Sequence, residues 1–420
     1  MKAEVLLLKN SFLFLFLYVV PSFFPIKYTR AEDWPQFLGS HRNGHATGEK
    51  IGEKFPQNGP RIVWQRKVGD GFAGIVVSAG KAVLFHRVND KERVEVMDAL
   101  TGKVFWTDEE STDYSSAFSP DKGPRATPLV HNGFVYLFGA QGRLQCFELK
   151  TGKRKWMRET HKDFRAQEGY FGAGSSPIVE DEKLIVNVGS RNGAGIVAFD
   201  LKTGKTLWKK TNEFASYSSP IAATVDGVRH LIFITRMKVI SLDPKDGKIR
   251  FEFPFGQRGP TVNAASPVIV NGHLFVTAHY RVGAVWAKIE KDKSRILWRD
   301  DKTLSAHYAT PIEHKRIFYG IHGQERVSKP LLRCFDPVTR KIYWQKEFYY
   351  GSMLNVEDKI IFTTTTGELI LFQCNSRGYH ELDRTRIFSK TTRAIPALSN
   401  GLLYVRDTNT LKCLDLRPRQ

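Results

Sequence analysis

The segment LQCFELKTGKRKW, residues 144–156, sets an acidic residue at Glu148, a glycine at Gly152 and a tryptophan at Trp156, each four positions apart. Residues 196–208, IVAFDLKTGKTLW, repeat it with Asp200, Gly204 and Trp208. Residues 94–106 carry Asp98, Gly102 and Trp106, and residues 239–251 carry Asp243, Gly247 and Phe251. Three weaker copies keep the spacing: Glu290, Ser294 and Trp298; Asp336, Arg340 and Trp344; Cys374, Gly378 and Leu382. A truncated copy, LKCLDL with Asp415, stands near the end of the chain. A recurring unit of this kind marks a repeat architecture.

Each copy reads as a hairpin. Alternating apolar residues before the acidic position mark one strand. The carboxylate accepts backbone N–H bonds in the turn, and the glycine supplies positive φ. The Trp then falls on the next strand and packs on a neighbouring unit. Asp98, Asp200 and Asp336 are therefore turn formers, and Trp106, Trp156, Trp208, Trp298 and Trp344 are packing residues. Upstream of the hairpins, Thr127-Pro128, Ser176-Pro177, Ser219-Pro220, Ser266-Pro267, Thr310-Pro311 and Ile395-Pro396 each open an apolar run followed by a turn and a second β-rich run. Proline is tolerated at the first residue of a strand. Each repeat so holds four strands, the content of a propeller blade. Blades are expected at 72–106, 125–156, 174–208, 217–251, 264–298, 308–344, 350–382 and 393–416, the last without its outer strand. The orphan run RIVWQRKV at 61–68, with Trp64 where a hairpin Trp would stand, completes it and removes both sheet edges. The expected fold is all-β: an eight-bladed β-propeller of four-stranded antiparallel blades, closed by the N-terminal strand.

The composition is that of a folded globular protein, with 41% hydrophobic and 25% charged residues. Residues 1–31 read as an export signal. Lys2 and Lys9 precede an apolar run from Phe12 that Pro21 and Pro25 interrupt, and Thr29-Arg30-Ala31 offers small residues for cleavage. An uncleaved anchor is the alternative, although the run is short and Pro-broken for a transmembrane helix. No cysteine lies near the cleavage site, which argues against a lipoprotein. Residues 32–60 form an N-terminal extension and 61–420 the propeller. The formal charge is +20. Removing residues 1–31 takes away Lys2, Lys9, Lys27, Arg30 and Glu4, which leaves +17. Such a surface draws polyanions, or is simply basic without a dedicated partner. No Lys/Arg block marks a nucleic-acid arm.

The Asp-x-x-Thr-Gly-x-x-x-Trp pattern at Asp98–Trp106 and Asp200–Trp208 resembles the pyrroloquinoline-quinone-like repeat. That repeat builds the eight-bladed propellers of quinoprotein alcohol dehydrogenases and of the propeller lipoprotein of outer-membrane β-barrel assembly. Asp33-Trp34-Pro35-Gln36-Phe37-Leu38-Gly39 and Arg42-Asn43-Gly44 resemble the opening segment of exported repeat proteins. The dehydrogenase resemblance implies a quinone held between a Trp and an adjacent-cysteine disulfide, Ca²⁺ on Glu, Asn and Asp, and an Asp base. No Cys-Cys pair exists here. Cys146, Cys334 and Cys413 hold the same position in separate blades, and the fourth cysteine is Cys374. Equivalent positions in separate blades cannot approach within the ~7 Å Cα limit of a disulfide. They read as buried small hydrophobes. The 12 His are scattered without metal-ligand spacing, His131, His273 and His314 falling at turns. No catalytic residue, cofactor or metal is expected.

One surface can be named from register. The position three before each strand-opening Pro lies at the mouth of the central funnel, and across the blades it holds Phe72, Arg125, Gly174, Tyr217, Ala264, Tyr308, Tyr350 and Arg393. Asn263 and His307 adjoin it, and the loops 107–124, 159–173 and 252–263 rise around it. Aromatics and arginines in one ring stack on a sugar or planar ligand and grip an anion, or they merely plug the channel. The expected function is a non-catalytic exported scaffold, periplasmic or secreted and monomeric, that binds an envelope protein. The alternatives are carbohydrate or polyanionic-glycan binding at the funnel and, further off, a quinone-dependent oxidoreductase.

Overall fold

A computed structural model describes residues 32–418; residues 1–31, which the sequence reads as an export signal, lie outside the described residues. Eight four-stranded antiparallel sheets follow one another along the chain. They span 76–111, 129–159, 178–210, 221–254, 268–300, 312–347 and 351–386, and the eighth combines 397–415 with Arg61–Lys67. In blades 1 to 7 the strands pair in chain order, innermost to outermost. The eighth is completed by the N-terminal strand, with Arg61 opposite Asp415, Trp64 opposite Cys413 and Lys67 opposite Thr410. The outer strands run several residues past the Trp at which the sequence pattern stops, because backbone pairing continues where side-chain periodicity no longer marks it. The helix Thr160–Phe164 is the one helix among the described residues.

The repeat pattern acts between blades. Asp200 shows its turn role: Oδ1 accepts the Lys202 and Thr203 N–H groups at 3.2 and 2.8 Å and the Thr203 hydroxyl at 2.7 Å. The hydrogen bond from the Thr203 hydroxyl is foremost in holding its carboxyl below the usual range. Asp98 and Asp336 accept the corresponding bonds. Each Trp donates its indole N–H to the carbonyl just after the acidic position of the next blade. Trp106 reaches Leu149, Trp156 reaches Leu201, Trp208 reaches Pro244, Trp298 reaches Pro337 and Trp344 reaches Asn375. Trp64 reaches Ala99 and so closes the circle between blades 8 and 1. The turn glycine is required by this docking: a Cβ on Gly102 would stand 2.8 Å from the Trp64 ring, at a φ of +70°.

The cysteines fit this packing. Tyr136–Cys146–Trp156, Tyr319–Cys334–Trp344 and Tyr404–Cys413–Trp64 are rows of directly opposed residues across three strands. A small residue between two large rings lets both lean toward the next blade. The Tyr404 hydroxyl bonds the same Ala99 carbonyl that Trp64 does, at 3.0 Å. All four cysteines are free.

Blade 5 departs from the sequence reading. In blades 1 to 4 and 6 the acidic residue's N–H bonds the carbonyl five positions on, as Asp200 does with Lys205, but Glu290 bonds Lys293, and in blade 7 the N–H of Cys374 bonds Asp358 instead. The hairpin is a tighter turn on longer strands, with Trp286 directly opposite Trp298. The Glu290 and Ser294 spacing is there without the turn it marks elsewhere.

Candidate functional site

Antiparallel order gives the disc two unlike ends. Blade-to-blade connections and the turns between second and third strands form one end, the loop face. The other hairpin turns, including the Asp-Thr-Gly turns, form the opposite end.

The N-terminal extension fills the central channel from that opposite end. Asp33 accepts from Ser78 and Ala79, and Trp34 pairs with Val77 of blade 1. The Pro35 carbonyl accepts the Val130 N–H of blade 2, while Gly44 and Ala46 bond Asn355 of blade 7. The segment thus crosses the channel from one side to the other. Arg42 is its pin, donating to the carbonyls of Pro220, Pro177 and Ser176 at 2.7, 2.9 and 3.2 Å and to the Gln36 side chain at 3.0 Å. Burial, partly offset by Glu180, pulls the Arg42 pKa down to about 9. Gly44 has no room for a side chain, since a Cβ there would lie 2.5 Å from Ile312. This explains the Arg-Asn-Gly signature, whose role sequence reasoning missed because its partners lie in four different blades.

Above the plug, open to the loop face, is a cavity of about 360 Å³. Phe37 and Leu38 of the plug contribute to its lining, as do Phe72, Arg125, Gly174, Tyr217, Ala264, His307, Tyr308 and Arg393. Phe118 and Phe171 join them from the loops 107–124 and 159–173, and Val262 from 252–263. The structure brings together most of the ring inferred from register and excludes its member Tyr350 and the adjoining Asn263. Tyr350 is 2% exposed, and its hydroxyl accepts the N–H groups of Tyr308 and Ala309. Asn263 is 1% exposed and donates its amide to the carbonyls of Thr235, Arg236 and Phe255. Both are committed to holding loops from beneath.

The ring arginines are also less free than the sequence suggests. The Arg125 and Arg393 guanidiniums lie 5.5 and 5.4 Å from the Phe72 ring centroid. Arg125 stands 3.8 Å from the Asp121 carboxylate. Arg393 is bound at 2.6 Å by Glu325, which arrives from the turn 323–330. The same Glu325 oxygen accepts the Tyr308 hydroxyl at 3.1 Å. Burial, then the Glu325 charge, raises the Tyr308 pKa well above its ordinary value, so the hydroxyl stays a donor. His307 bonds the Tyr280 hydroxyl at 2.8 Å. Burial, aided by His279 and Arg393, lowers its pKa to about 4, so it is neutral. The cavity is aromatic-walled; Arg125 and Arg393 are paired internally, and Arg326, exposed, is the lining guanidinium without a carboxylate partner among the described residues.

A second depression of about 940 Å³ runs outward across blades 2 to 4 and shares Phe118, Tyr217 and Val262 with the cavity. It carries Arg191, Arg236 and Arg258. Phe118 stands at the junction, 58% exposed, with its ring edge-on to Tyr170.

The quinone and calcium implied by the dehydrogenase resemblance do not fit these residues. Cys146, Cys334 and Cys413 are buried in separate blades, which leaves no disulfide to face a quinone. Among the described residues no three His, Cys, Asp or Glu side chains form a metal-binding group. Glu325, the carboxylate lining the cavity, is spent on Arg393 and Tyr308. Among the described residues no helix is long and apolar enough to cross a membrane.

Comparison with known proteins is consistent with this geometry. The family described as outer membrane protein assembly factor BamB matches residues 56–226 and 193–320. BamB of Burkholderia pseudomallei (strain K96243) is 24% identical over 291 residues, 59% of this chain and 71% of that protein. The quinohemoprotein alcohol dehydrogenase ADH-IIG of Pseudomonas putida is 29% identical over 119 residues, 28% of this chain and 16% of the enzyme. This chain therefore matches only a small part of that enzyme. Among solved structures, BamB from Moraxella catarrhalis superposes with a TM-score of 0.62 at 14% identity, covering 86% of this chain and 98% of that one. The quinohemoprotein alcohol dehydrogenase from Comamonas testosteroni gives 0.68 at 14% identity, covering 94% and 82%. At such identities these likenesses speak to the fold.

Proposed function

Since this chain belongs to the family described as outer membrane protein assembly factor BamB, matched over more than half its length, we propose that it is an exported, non-catalytic scaffold that holds a protein partner in the cell envelope on its loop face. The observation that carries this reading is the asymmetry of the disc. One end of the channel is filled by the chain's own residues 33–46, and the other presents a cavity continuous with a broad groove. A rigid ring with one recessed, aromatic-rimmed face suits recognition: aromatics and Arg dominate binding energy at protein interfaces. Phe72, Arg125, Tyr217, His307, Tyr308 and Arg393 belong to that contact face, with Asn263 and Tyr350 supporting it. The basic balance of the chain and the BamB relative support an envelope setting.

Photo-crosslinking residues tested at Phe118 and Val327 on the loop face, and at Leu100 and Val338 on the opposite end, decide the matter, since all four are exposed. Protein adducts from Phe118 and Val327 alone are expected. Adducts confined to Leu100 and Val338 would overturn the reading. Fractionation with amino-terminal sequencing is expected to find the mature chain in the envelope, beginning at Glu32. Added quinone and Ca²⁺ are expected to bring no alcohol-dependent dye reduction.

A further inference from the structure

We infer that the loop-face cleft receives an extended acidic segment of a protein partner, with one bulky apolar side chain in the central cavity and carboxylates along the outer groove. This rests on the scaffold reading and adds the chemistry of the partner.

Charge pairing separates the two halves of the cleft. In the cavity, Arg393 is neutralised by Glu325 and Arg125 faces Asp121, both acids being less than a tenth exposed. What remains for an occupant there is aromatic surface from Phe37, Phe72, Phe118, Phe171 and Tyr308. The one unpaired guanidinium of the lining, Arg326, is exposed to solvent, so a charge buried among the rings would lose its hydration against groups already paired, and an apolar group is favoured there.

The groove differs. Arg191, Arg236 and Arg258 form no ion pair with any carboxylate among the described residues. Three arginines on the outer strands, by contrast, are doubly paired: Arg154 with Asp108 and Glu110, Arg250 with Asp243 and Asp292, and Arg384 with Glu368 and Glu381. Arg236 is held by the carbonyls of Gln257 and Gly259 and the Thr261 hydroxyl, which fix its direction without cancelling its charge. Of the two acids in the groove, Glu213 stands 3.7 Å from Lys238, leaving Glu168 alone against three guanidiniums. Three unpaired guanidiniums gathered in a concave, aromatic-edged surface, with Arg236 fixed among them, favour carboxylates. The internal Glu325 contact displays the same recognition, a carboxylate taken by Arg and Tyr together. Length supports an extended segment: the groove and cavity run outward from the centre without a closed end between them, sharing Phe118, Tyr217 and Val262.

The test uses the full mature protein and fluorescein-labelled peptides of glycine with one phenylalanine followed by a run of aspartates, read by anisotropy at low and physiological salt. The Phe→Ala and the Asp→Asn peptides are each expected to bind about tenfold more weakly. The variant R191E/R258E is expected to lose affinity for the aspartate peptide by a similar factor, about tenfold, and K209E/K210E on an outer strand to keep it. Arg191 and Arg258 are exposed, so an unchanged melting temperature certifies the fold. Equal binding of aspartate and asparagine peptides, or full binding by R191E/R258E, overturns the inference. Polygalacturonate displacing the peptide at lower charge concentration assigns the cleft to a glycan and overturns it too. Loop-face crosslinks without peptide binding sink this inference alone, whereas peptide binding without loop-face crosslinks sinks the scaffold reading.

Discussion

Trp64 and Gly102 form the contact that seals the ring, and their coupling can be measured. Trp64 is 9% exposed, lies 6.0 Å from Tyr404 between ring centroids, and donates to the Ala99 carbonyl at 2.9 Å. Trp→Ala in a packed site costs about 3–5 kcal/mol. The Ala99 carbonyl is not orphaned, because the Tyr404 hydroxyl still reaches it. The expected cost of W64A therefore stays at the packing value, about 4 kcal/mol. Gly102 meets the same ring from blade 1. G102A places a methyl 2.8 Å from the indole at a φ of +70°. The left-handed backbone alone costs an alanine about 1–2 kcal/mol, and displacing the ring adds to that. Once Trp64 is gone the clash disappears and the backbone term remains. The double mutant is thus expected to be more stable than the sum of the singles by about 2 kcal/mol. Urea unfolding followed by far-ultraviolet circular dichroism measures all four corners of the cycle. Additivity within about 0.5 kcal/mol would refute the claim that this Trp–Gly contact holds the blades together. W156A with G204A, the same contact between blades 2 and 3, is the internal comparison, and it leaves the N-terminal strand in place.

Other outcomes follow from the same geometry. R42A deprives three blade carbonyls of their donor and is expected to cost about 2–4 kcal/mol and to expose residues 33–46 to protease, with R42K failing to restore the multidentate contact. Burial pushes the four cysteine thiols up to about 12. The native protein at pH 8 is therefore expected to react with no thiol reagent until denaturant releases all four cysteines. Burial is also the leading cause that holds His161 and His307 down at about 4, against 6.5 unperturbed. Between these values the unfolded chain binds protons that the folded chain refuses. Stability is then full above about pH 6.5 and falls toward pH 4, by up to ~1.4 kcal/mol per pH unit for each histidine. Urea midpoints across that range should fall less steeply in H161Q/H307Q, with His322, also held at about 4 chiefly by burial, keeping part of the slope.

Fold and seam were legible in the amino-acid order because their determinants are local. An acidic residue, Thr-Gly and Trp within nine positions specify a turn, a strand and a docking ring, and repeating them leaves a circle as the way to cover every edge. Trp64 could be matched to the last blade from that pattern alone. Blade 5 escaped because spacing is preserved when a tighter turn compensates longer strands.

The cleft was legible only as a ring of positions. Register placed Phe72, Arg125, Tyr308 and Arg393 around one opening, but it could not tell that Tyr350 and Asn263 turn inward to satisfy loop backbone. Nor could it foresee that Glu325, 68 residues from Arg393, neutralises it. The plug was equally hidden, since Arg42 finds its carbonyls 134 to 178 residues away. Sequence alone decides what neighbouring residues do to one another's backbone. Which charges meet, which ring faces open space and which end of the channel is filled depend on segments that approach each other only after the circle has closed.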